Sequence, residues 1–267
     1  MSKSEARVRG IKMTFDDTGR GTALLLLHGF PLNRSMWGGQ AEALGGEFRV
    51  VAPDLRGQGE TPLGGDALTM REMAEDVAAL LDELNLGRVV LGGLSMGGYV
   101  AFEFFRRFPE RVRALVLADT RPQADTEEGR RAREENALRA LRDGMGPVVE
   151  SMLPKLLAAG TLGRQPEVVG RVRAMMLAAK PEGAAAALRG MAVRRDQTDL
   201  LPSIDVPTLV VVGGEDALTP PADAEALSAG IEGSRLVVIE GAGHLSNVER
   251  PEEFNRALVD FLRGLPS

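Results

Sequence analysis

One serine of this sequence lies in a setting that could make its hydroxyl a nucleophile. Ser95 is the centre of GLSMG at residues 93–97, a G-x-S-x-G pentapeptide. In a sharp turn from a strand into a helix, this pattern exposes the serine hydroxyl and directs the next backbone N–H towards an anionic oxygen. The chain contains 32 glycines, so the pentapeptide alone is weak evidence and its surroundings decide its meaning.

A serine hydroxyl needs a base that removes its proton, and the chain contains two histidines. His28 follows the apolar run ALLLL, and His244 follows the later run RLVVI within EGAGHLSN. Loops at the carboxyl ends of parallel strands meet at one edge of a sheet, so either ring could approach Ser95. Serine hydrolases with this turn run serine, acid, histidine along the chain. That order favours His244 as the base and leaves His28 in the loop that completes an oxyanion hole.

A third group must orient the base, and two carboxylates are serious candidates for this acid. Asp216 follows the run TLVVV in GGEDALTP, and Asp119 follows the run ALVLA. Both lie between Ser95 and His244 in the chain, so the order alone leaves the choice open. Glu215 is a third option, but its side chain should point away from that of its neighbour.

The candidate residues follow short apolar runs that alternate with helical segments. The runs occupy residues 23–27, 49–52, 88–91, 114–118, 208–212 and 235–239. Their length and continuity indicate strands buried on both faces, and the alternation predicts an α/β fold with a mainly parallel sheet covered by helices on both faces. Thr69 and Glu72 have the spacing of a capping box at the start of a helix. Residues 6–18 predict an antiparallel hairpin.

The alternation stops after Asp119, and residues 121–200 contain no credible strand. A segment of this length is too long for a loop, so we expect a helical cap inserted into a core formed by residues 1–120 and 201–267. Its first part, 126–143, is dense in both charge signs, which is typical of a solvated helix face. Five methionines of the insertion either pack between helices or form an adaptable ceiling over a ligand pocket. They are Met145, Met152, Met175, Met176 and Met191.

The composition excludes several classes of function. A net charge of -6 gives no basic surface for nucleic acid or an anionic membrane. The absence of cysteine rules out disulfides, a thiol nucleophile and a cysteine-based zinc site, and two histidines argue against a histidine-rich metal centre. The charged start MSKSEARVRG is unlike a signal peptide, and no run is long enough to span a bilayer, so we expect a cytoplasmic protein. A homo-oligomer remains an open alternative.

Taken together, the motifs resemble those of the α/β-hydrolase superfamily, in the branch of small carboxylesterases, enol-lactonases, carbon–carbon hydrolases and cofactor-free perhydrolases. The resemblance extends over nearly the full chain. The matching segments are HGFP at 28–31, DLRGQG at 54–59, GLSMGG at 93–98, GED at 214–216 and GH at 243–244.

This resemblance implies an α/β-hydrolase fold with Ser95 as the nucleophile, His244 as the base and Asp216 as the acid. It further implies that the backbone amides of two residues, Phe30 and Met96, form the oxyanion hole. In some relatives the acid follows the earlier strand, and for that reason Asp119 remains an alternative.

The resemblance also implies a serine carboxylic-ester hydrolase that needs no cofactor or metal and acts on a small-molecule ester. Aromatic residues make up 4% of the chain, and Met and Leu are frequent, so we expect small to medium apolar acyl groups. A lactonase or perhydrolase could use the same triad, and a non-catalytic ligand-binding member of the fold is an alternative from a different class. Trp37, the only tryptophan, either lines the acyl pocket or packs the following helix onto the sheet.

Overall fold

A single sheet forms the centre of the molecule, for which the computed structural model describes residues 2–65 and 68–266. Its strands are Ser2–Val8 (β1), Ile11–Thr18 (β2), Ala23–Leu27 (β3), Arg49–Pro53 (β4), Val89–Leu94 (β5), Val112–Ala118 (β6), Thr208–Gly213 (β7) and Arg235–Ile239 (β8). They are arranged in the order β1-β2-β4-β3-β5-β6-β7-β8. The pairs from β4 to β8 are parallel, and β1 and β2 add an antiparallel hairpin at one edge.

The six predicted parallel strands are all present, and the predicted hairpin is present as β1 and β2. All residues of β3, β5 and β7 are buried. Successive side chains of a strand point to opposite faces, so complete burial means that both faces of the sheet are covered. The inner parallel strands are apolar runs because neither of their faces meets solvent, whereas the edge strand β8 is partly exposed.

Helices follow most of the parallel strands. The helices are Gly38–Leu44 (α1), Met70–Glu83 (α2), Met96–Arg107 (α3), Glu127–Asp143 (α4), Met145–Leu156 (α5), Ala159–Arg164 (α6), Pro166–Leu177 (α7), Pro181–Ala192 (α8), Pro221–Gly230 (α9), Ser246–Glu249 (α10) and Pro251–Arg263 (α11). The capping box at the start of α2 is present: the Thr69 hydroxyl accepts from the Glu72 amide, and the Glu72 carboxylate accepts from the Thr69 amide. Within the described residues, no helix combines the length and apolar character needed to cross a bilayer.

Helices α4 to α8 all lie between β6 and β7, inside residues 121–200. The helices contact one another, with α4 packed on α8 and α5 packed on α7. They interrupt the strand-helix alternation at the carboxyl end of β6. The carboxyl ends of β3, β5, β6, β7 and β8 carry the candidate catalytic residues.

Candidate active site

Ser95 occupies a strained turn between β5 and α3. Its backbone adopts φ 54° and ψ −113°, a conformation with positive φ that residues other than glycine rarely adopt. A Cβ atom at Gly93 would collide with the carbonyl oxygen of Gly97, and one at Gly97 would collide with that of Leu27. The Thr120 hydroxyl donates to the Ser95 carbonyl oxygen at 2.9 Å. The two glycines are therefore needed for the close backbone approach that holds the serine in this conformation.

Ser95, His244 and Asp216 form one chain of hydrogen bonds. The distance from Ser95 Oγ to His244 Nε2 is 2.8 Å, and that from His244 Nδ1 to Asp216 Oδ2 is 2.7 Å. The His244 and Asp216 residues are only 2% and 3% exposed. Because a carboxylate accepts at Nδ1, the ring holds its proton there and presents a free lone pair at Nε2 to the serine hydroxyl. This arrangement can transfer a proton from the serine to the imidazole.

The Asp216 carboxylate is fixed by its own turn. Its Oδ1 accepts from the amides of Leu218 and Thr219 at 2.8 and 3.0 Å, and its Oδ2 accepts from the Thr219 hydroxyl at 2.7 Å. Burial opposes the charge of this carboxylate, but the neighbouring His244 and these hydrogen bonds hold the pKa of Asp216 below its ordinary value. Asp216 is therefore ionised and oriented towards His244 at neutral pH.

The electrostatic surroundings of His244 favour its charged form. Burial acts to lower the pKa of the imidazole, but the adjacent Asp216 and the charges of Asp119 and Glu249 raise that pKa above its ordinary value. An imidazolium that forms during proton transfer is stabilised by the same carboxylates. The site can thus hold the proton that the serine gives up.

Asp119 lies close to this chain but contacts other groups. It is fully buried, with φ 45°, and its Oδ1 accepts from the Gly213 amide at 2.8 Å. Its Oδ2 accepts from the Ser246 hydroxyl at 2.5 Å. Burial and the nearby charge of Asp216 raise the pKa of Asp119 to about 8. Asp216, and not Asp119, is therefore hydrogen-bonded to His244. Asp119 instead connects the ends of β6 and β7 to α10 through its hydrogen bonds. The third candidate, Glu215, is exposed.

His28 uses both ring nitrogens within the protein. Its Nε2 accepts from the Leu55 amide at 3.0 Å, and its Nδ1 donates to the Gly29 carbonyl oxygen at 3.0 Å. The residue is fully buried, and this burial lowers the pKa of its imidazole although Asp54 acts in the opposite direction. His28 therefore joins the carboxyl ends of β3 and β4 and has no free nitrogen for Ser95.

Two backbone amides, those of Phe30 and Met96, are the candidates for binding an anionic oxygen beside Ser95. Met96 is the first residue of α3, so its N–H has no helical partner. Phe30 lines the same cavity as Ser95. Neither amide donates to an acceptor among the described residues. Unpaired N–H groups beside a nucleophile are the donors that stabilise a tetrahedral oxyanion.

A cavity of about 180 Å³ opens above Ser95 and is closed partly by the inserted helices. It is lined by Phe30, Ser95, Tyr99, Arg121, Arg133, Met152, Leu156, Met191, Leu218, Thr219 and His244. Both expectations for the methionines apply, since Met152 and Met191 face the cavity whereas Met145 and Met176 are buried between helices. Two arginines in the lining are unexpected from the sequence. Arg133 belongs to the charged segment that the sequence assigns to a solvated face, and nothing in its spacing distinguishes it.

Trp37 requires a correction, because it does not line this cavity. It is 1% exposed, and its ring lies 6.1 Å from that of Phe254 in α11. It ends a 3₁₀ helix, Arg34–Trp37, that directs the indole towards the interface between α1 and α11. Burial against another aromatic ring stabilises so large an apolar group more than a place in a small, half-polar cavity. Trp37 is a packing residue.

No group of three or more His, Asp or Glu side chains is arranged to ligate a metal ion within residues 2–65 and 68–266. The polar side chains of the cavity lining are those of Ser95, Tyr99, Arg121, Arg133, Thr219 and His244. A serine hydroxyl hydrogen-bonded to a histidine is an arrangement able to attack an electrophilic carbonyl group.

The comparisons with known proteins agree with this fold. Residues 22–251 match the sequence profile of the alpha/beta hydrolase fold. A thermophilic esterase from Thermogutta terrifontis, solved with malate bound, is 46% identical, and the two chains superimpose over 100% of both with a TM-score of 0.97. The enol-lactonase from Burkholderia xenovorans LB400 is 30% identical over 97% of this chain and 100% of its own, with a TM-score of 0.91.

Curated relatives include the 3-oxoadipate enol-lactonase 2 of Acinetobacter baylyi. It is 31% identical over 247 residues, which are 92% of this chain and 90% of that protein. A pimeloyl-[acyl-carrier protein] methyl ester esterase from Aeromonas hydrophila is 30% identical over 91% of this chain and 96% of its own length. The chain therefore belongs to the α/β-hydrolase fold family, in its branch of small esterases and lactonases.

Proposed function

We propose that this protein is a serine hydrolase that cleaves carboxylic esters of small to medium apolar acyl groups through an acyl-enzyme intermediate. The observation that carries the proposal is the hydrogen-bond chain from Ser95 Oγ through His244 to Asp216. Its relatives among esterases and enol-lactonases support a reaction at an ester or lactone carbonyl.

The first half of the reaction forms the acyl-enzyme. Ser95 Oγ attacks the ester carbonyl carbon while His244 Nε2 takes the hydroxyl proton, and Asp216 stabilises the resulting imidazolium. The amides of Phe30 and Met96 donate to the oxyanion of the tetrahedral intermediate. The intermediate collapses as the bond to the alcohol oxygen breaks, and His244 gives its proton to that oxygen.

The second half repeats these steps with water. His244 takes a proton from a water molecule that attacks the acyl carbon, and the same two amides stabilise the second oxyanion. Collapse breaks the bond to Ser95 Oγ, which regains its proton from His244. The carboxylic acid leaves, and the enzyme returns to its starting state.

The lining of the cavity supports a small, partly apolar acyl group. Met152, Leu156, Met191 and Leu218 provide apolar contacts beside the serine. A cavity of about 180 Å³ is small compared with the pockets that enclose drug-sized ligands. We therefore expect turnover to fall steeply once the acyl chain exceeds what this space accommodates.

Replacement of the nucleophile tests the proposal directly. S95A should lower the turnover of p-nitrophenyl acetate by a factor of about 10⁴ or more and abolish covalent labelling by a fluorophosphonate. S151A is the matched control, because the Ser151 hydroxyl donates to a backbone carbonyl within α5 and lies outside the cavity lining. Undiminished turnover in S95A would contradict the assignment. Failure of the native protein to become labelled would favour the alternative of a non-catalytic binding protein.

Lactone hydrolysis is a second candidate function, favoured by the enol-lactonases among the relatives. A lactone carbonyl would react with the same residues, but the leaving alcohol would remain attached to the acyl group. Parallel assays of γ-lactones and open-chain methyl esters of equal carbon number, each with S95A as the blank, rank the two activities.

A further inference from the structure

Two guanidinium groups face the cavity that holds the reactive serine. Arg121, in the segment after β6, and Arg133, in α4, line it together with Ser95 and His244. Among the described residues in this lining, none is acidic. A cavity that only received a neutral acyl group would not require two fixed positive charges at its wall.

The two arginines of the lining differ in how closely carboxylates pair with them. Asp125, which is almost fully buried, pairs closely with Arg133 and also with Arg194 at 2.7 Å. Arg121 lies 3.8 Å from Asp125 and 3.6 Å from Asp223, which is beyond hydrogen-bond distance. The Nε atom of Arg121 is buried and has no hydrogen-bond partner among the described residues.

The charge of Arg194 also acts on Asp196, so Arg121 is the one of these three arginines without a closely paired carboxylate among the described residues. The pKa of Asp125 is lowered: its burial disfavours the charge, but its contacts with Arg133 and Arg194 outweigh that effect. Arg194 is held away from substrate, with its guanidinium 4.1 Å from the centre of the Tyr99 ring. The least compensated charge at the cavity wall is thus that of Arg121, where an anionic group of a substrate would meet it.

We propose that Arg121 and Arg133 form a subsite for a carboxylate group of the substrate. This inference rests on the proposed serine mechanism and changes the proposed acyl group in one respect: its apolar chain ends in a carboxylate a few carbon atoms from the reacting carbonyl, as in half-esters of short dicarboxylic acids. The ester carbonyl lies at Ser95, the methylene chain contacts Met152 and Met191, and the carboxylate accepts hydrogen bonds from the guanidiniums. A planar guanidinium matches the geometry of a carboxylate and stays charged at all working pH values.

Pairs of substrates that differ only in charge test this subsite. The monomethyl esters of succinic, glutaric and adipic acid are compared with the same esters in which the free carboxylate is a primary carboxamide, and methanol release is followed at constant pH. For the best chain length, kcat/KM of the native protein should be at least about tenfold higher for the carboxylate. Added salt should reduce this preference, because mobile ions screen a partly exposed charge pair.

Arg121 provides the decisive variant. R121Q should lower kcat/KM for the carboxylate substrate, mainly through KM, by a much larger factor than for the carboxamide, whereas R121K should retain part of the preference. R130Q is the matched control: Arg130 is exposed in α4, and the substitution makes the same change in net charge. R133Q should act like R121Q, but it also breaks the pair with buried Asp125 and is judged together with its Tm.

The outcomes separate this inference from the proposed function. Equal kcat/KM for carboxylate and carboxamide in the native protein would overturn the subsite, and so would an equal loss for both substrates in R121Q. Neither result affects the serine mechanism, which S95A and fluorophosphonate labelling test on a neutral ester. A native protein that neither becomes labelled nor hydrolyses any of these esters would overturn both.

Discussion

Replacing Asp216 by asparagine would reverse the proton arrangement of His244. Oδ1 of Asp216 accepts from two backbone amides, those of Leu218 and Thr219. An asparagine side chain therefore keeps its carbonyl oxygen at that position, because its NH₂ group would repel the same donors. The NH₂ group then occupies the position of Oδ2, at 2.7 Å from His244 Nδ1.

This arrangement disables the base although the side chain keeps its size and its position beside His244; the Thr219 hydroxyl can no longer donate to this atom. Facing an NH₂ donor, His244 must accept at Nδ1 and carry its proton on Nε2, the nitrogen 2.8 Å from Ser95 Oγ. It then has no lone pair for the serine proton. The imidazolium also loses the adjacent negative charge.

The expected magnitude follows from these two losses. In serine proteases, the wrong tautomer of the triad histidine lowers kcat by about 10⁴, and we expect a comparable factor for D216N. This factor corresponds to about 5.5 kcal/mol of transition-state stabilisation. D119N should cost less than about tenfold, because Asp119 bonds to Gly213 and Ser246 rather than to His244.

The assay compares kcat/KM of the native protein, D216N and D119N on p-nitrophenyl acetate, with ¹⁵N NMR of the imidazoles as the structural readout. The chain has only two histidines, so the signals of His244 are readily separated from those of His28 by mutation. D216N should show the Nε2-protonated tautomer in a folded protein. A loss for D119N that equals or exceeds that for D216N would refute the reasoning and assign the acid to the earlier strand.

Two further predictions concern ionisation and the loop that carries the base. His244 acts as a base only when it is neutral, and Asp216 raises the pKa of His244. The kcat/KM for a neutral ester should therefore rise with pH through a midpoint above about 6.5, and the residual activity of D216N should show a lower midpoint. Equal midpoints would contradict this prediction. Buried Glu249 accepts from the amides of Gly243 and Ala158, at 2.7 and 2.8 Å. Its pKa is raised by burial. E249Q turns an NH₂ group towards one of these amides and should lower the free energy of unfolding by about 1–3 kcal/mol, which corresponds to a fall in Tm of roughly 5 °C. An unchanged Tm in a thermal melt would argue against the role of Glu249 in holding these two amides.

The elements of the sheet are predictable because their signals are local. A strand buried on both faces must be apolar throughout, so runs such as residues 23–27 and 208–212 coincide with the buried strands β3 and β7. The capping box at Thr69 and Glu72 depends on residues three positions apart, and it starts α2 as expected. The position of Ser95 between a buried strand and a helix is readable for the same reason.

The partners of the side chains are much less predictable. Two histidines and two aspartates follow strands at the same edge of the sheet, and chain order or resemblance ranks them without giving a contact. In the folded chain, Asp216 is hydrogen-bonded to His244, and Asp119 is hydrogen-bonded to Ser246. Both ring nitrogens of His28 are hydrogen-bonded to backbone groups. These bonds depend on the turn geometry after each strand and on a few ångströms of separation between loops.

Hydrophobic periodicity, the glycines around Ser95 and the order of residues along the chain can all be read from the sequence. They suffice to predict the α/β architecture, the serine turn and the few groups able to act with that serine. Only the folded chain shows that Trp37 packs on Phe254. Only the folded chain shows that Arg121 and Arg133 line the same cavity as Ser95. Those contacts join residues far apart in the sequence, and the side on which a helix of the insertion meets the core depends on how all its faces pack. The charge at the cavity wall, and with it the proposed preference for a carboxylate, arises from that packing.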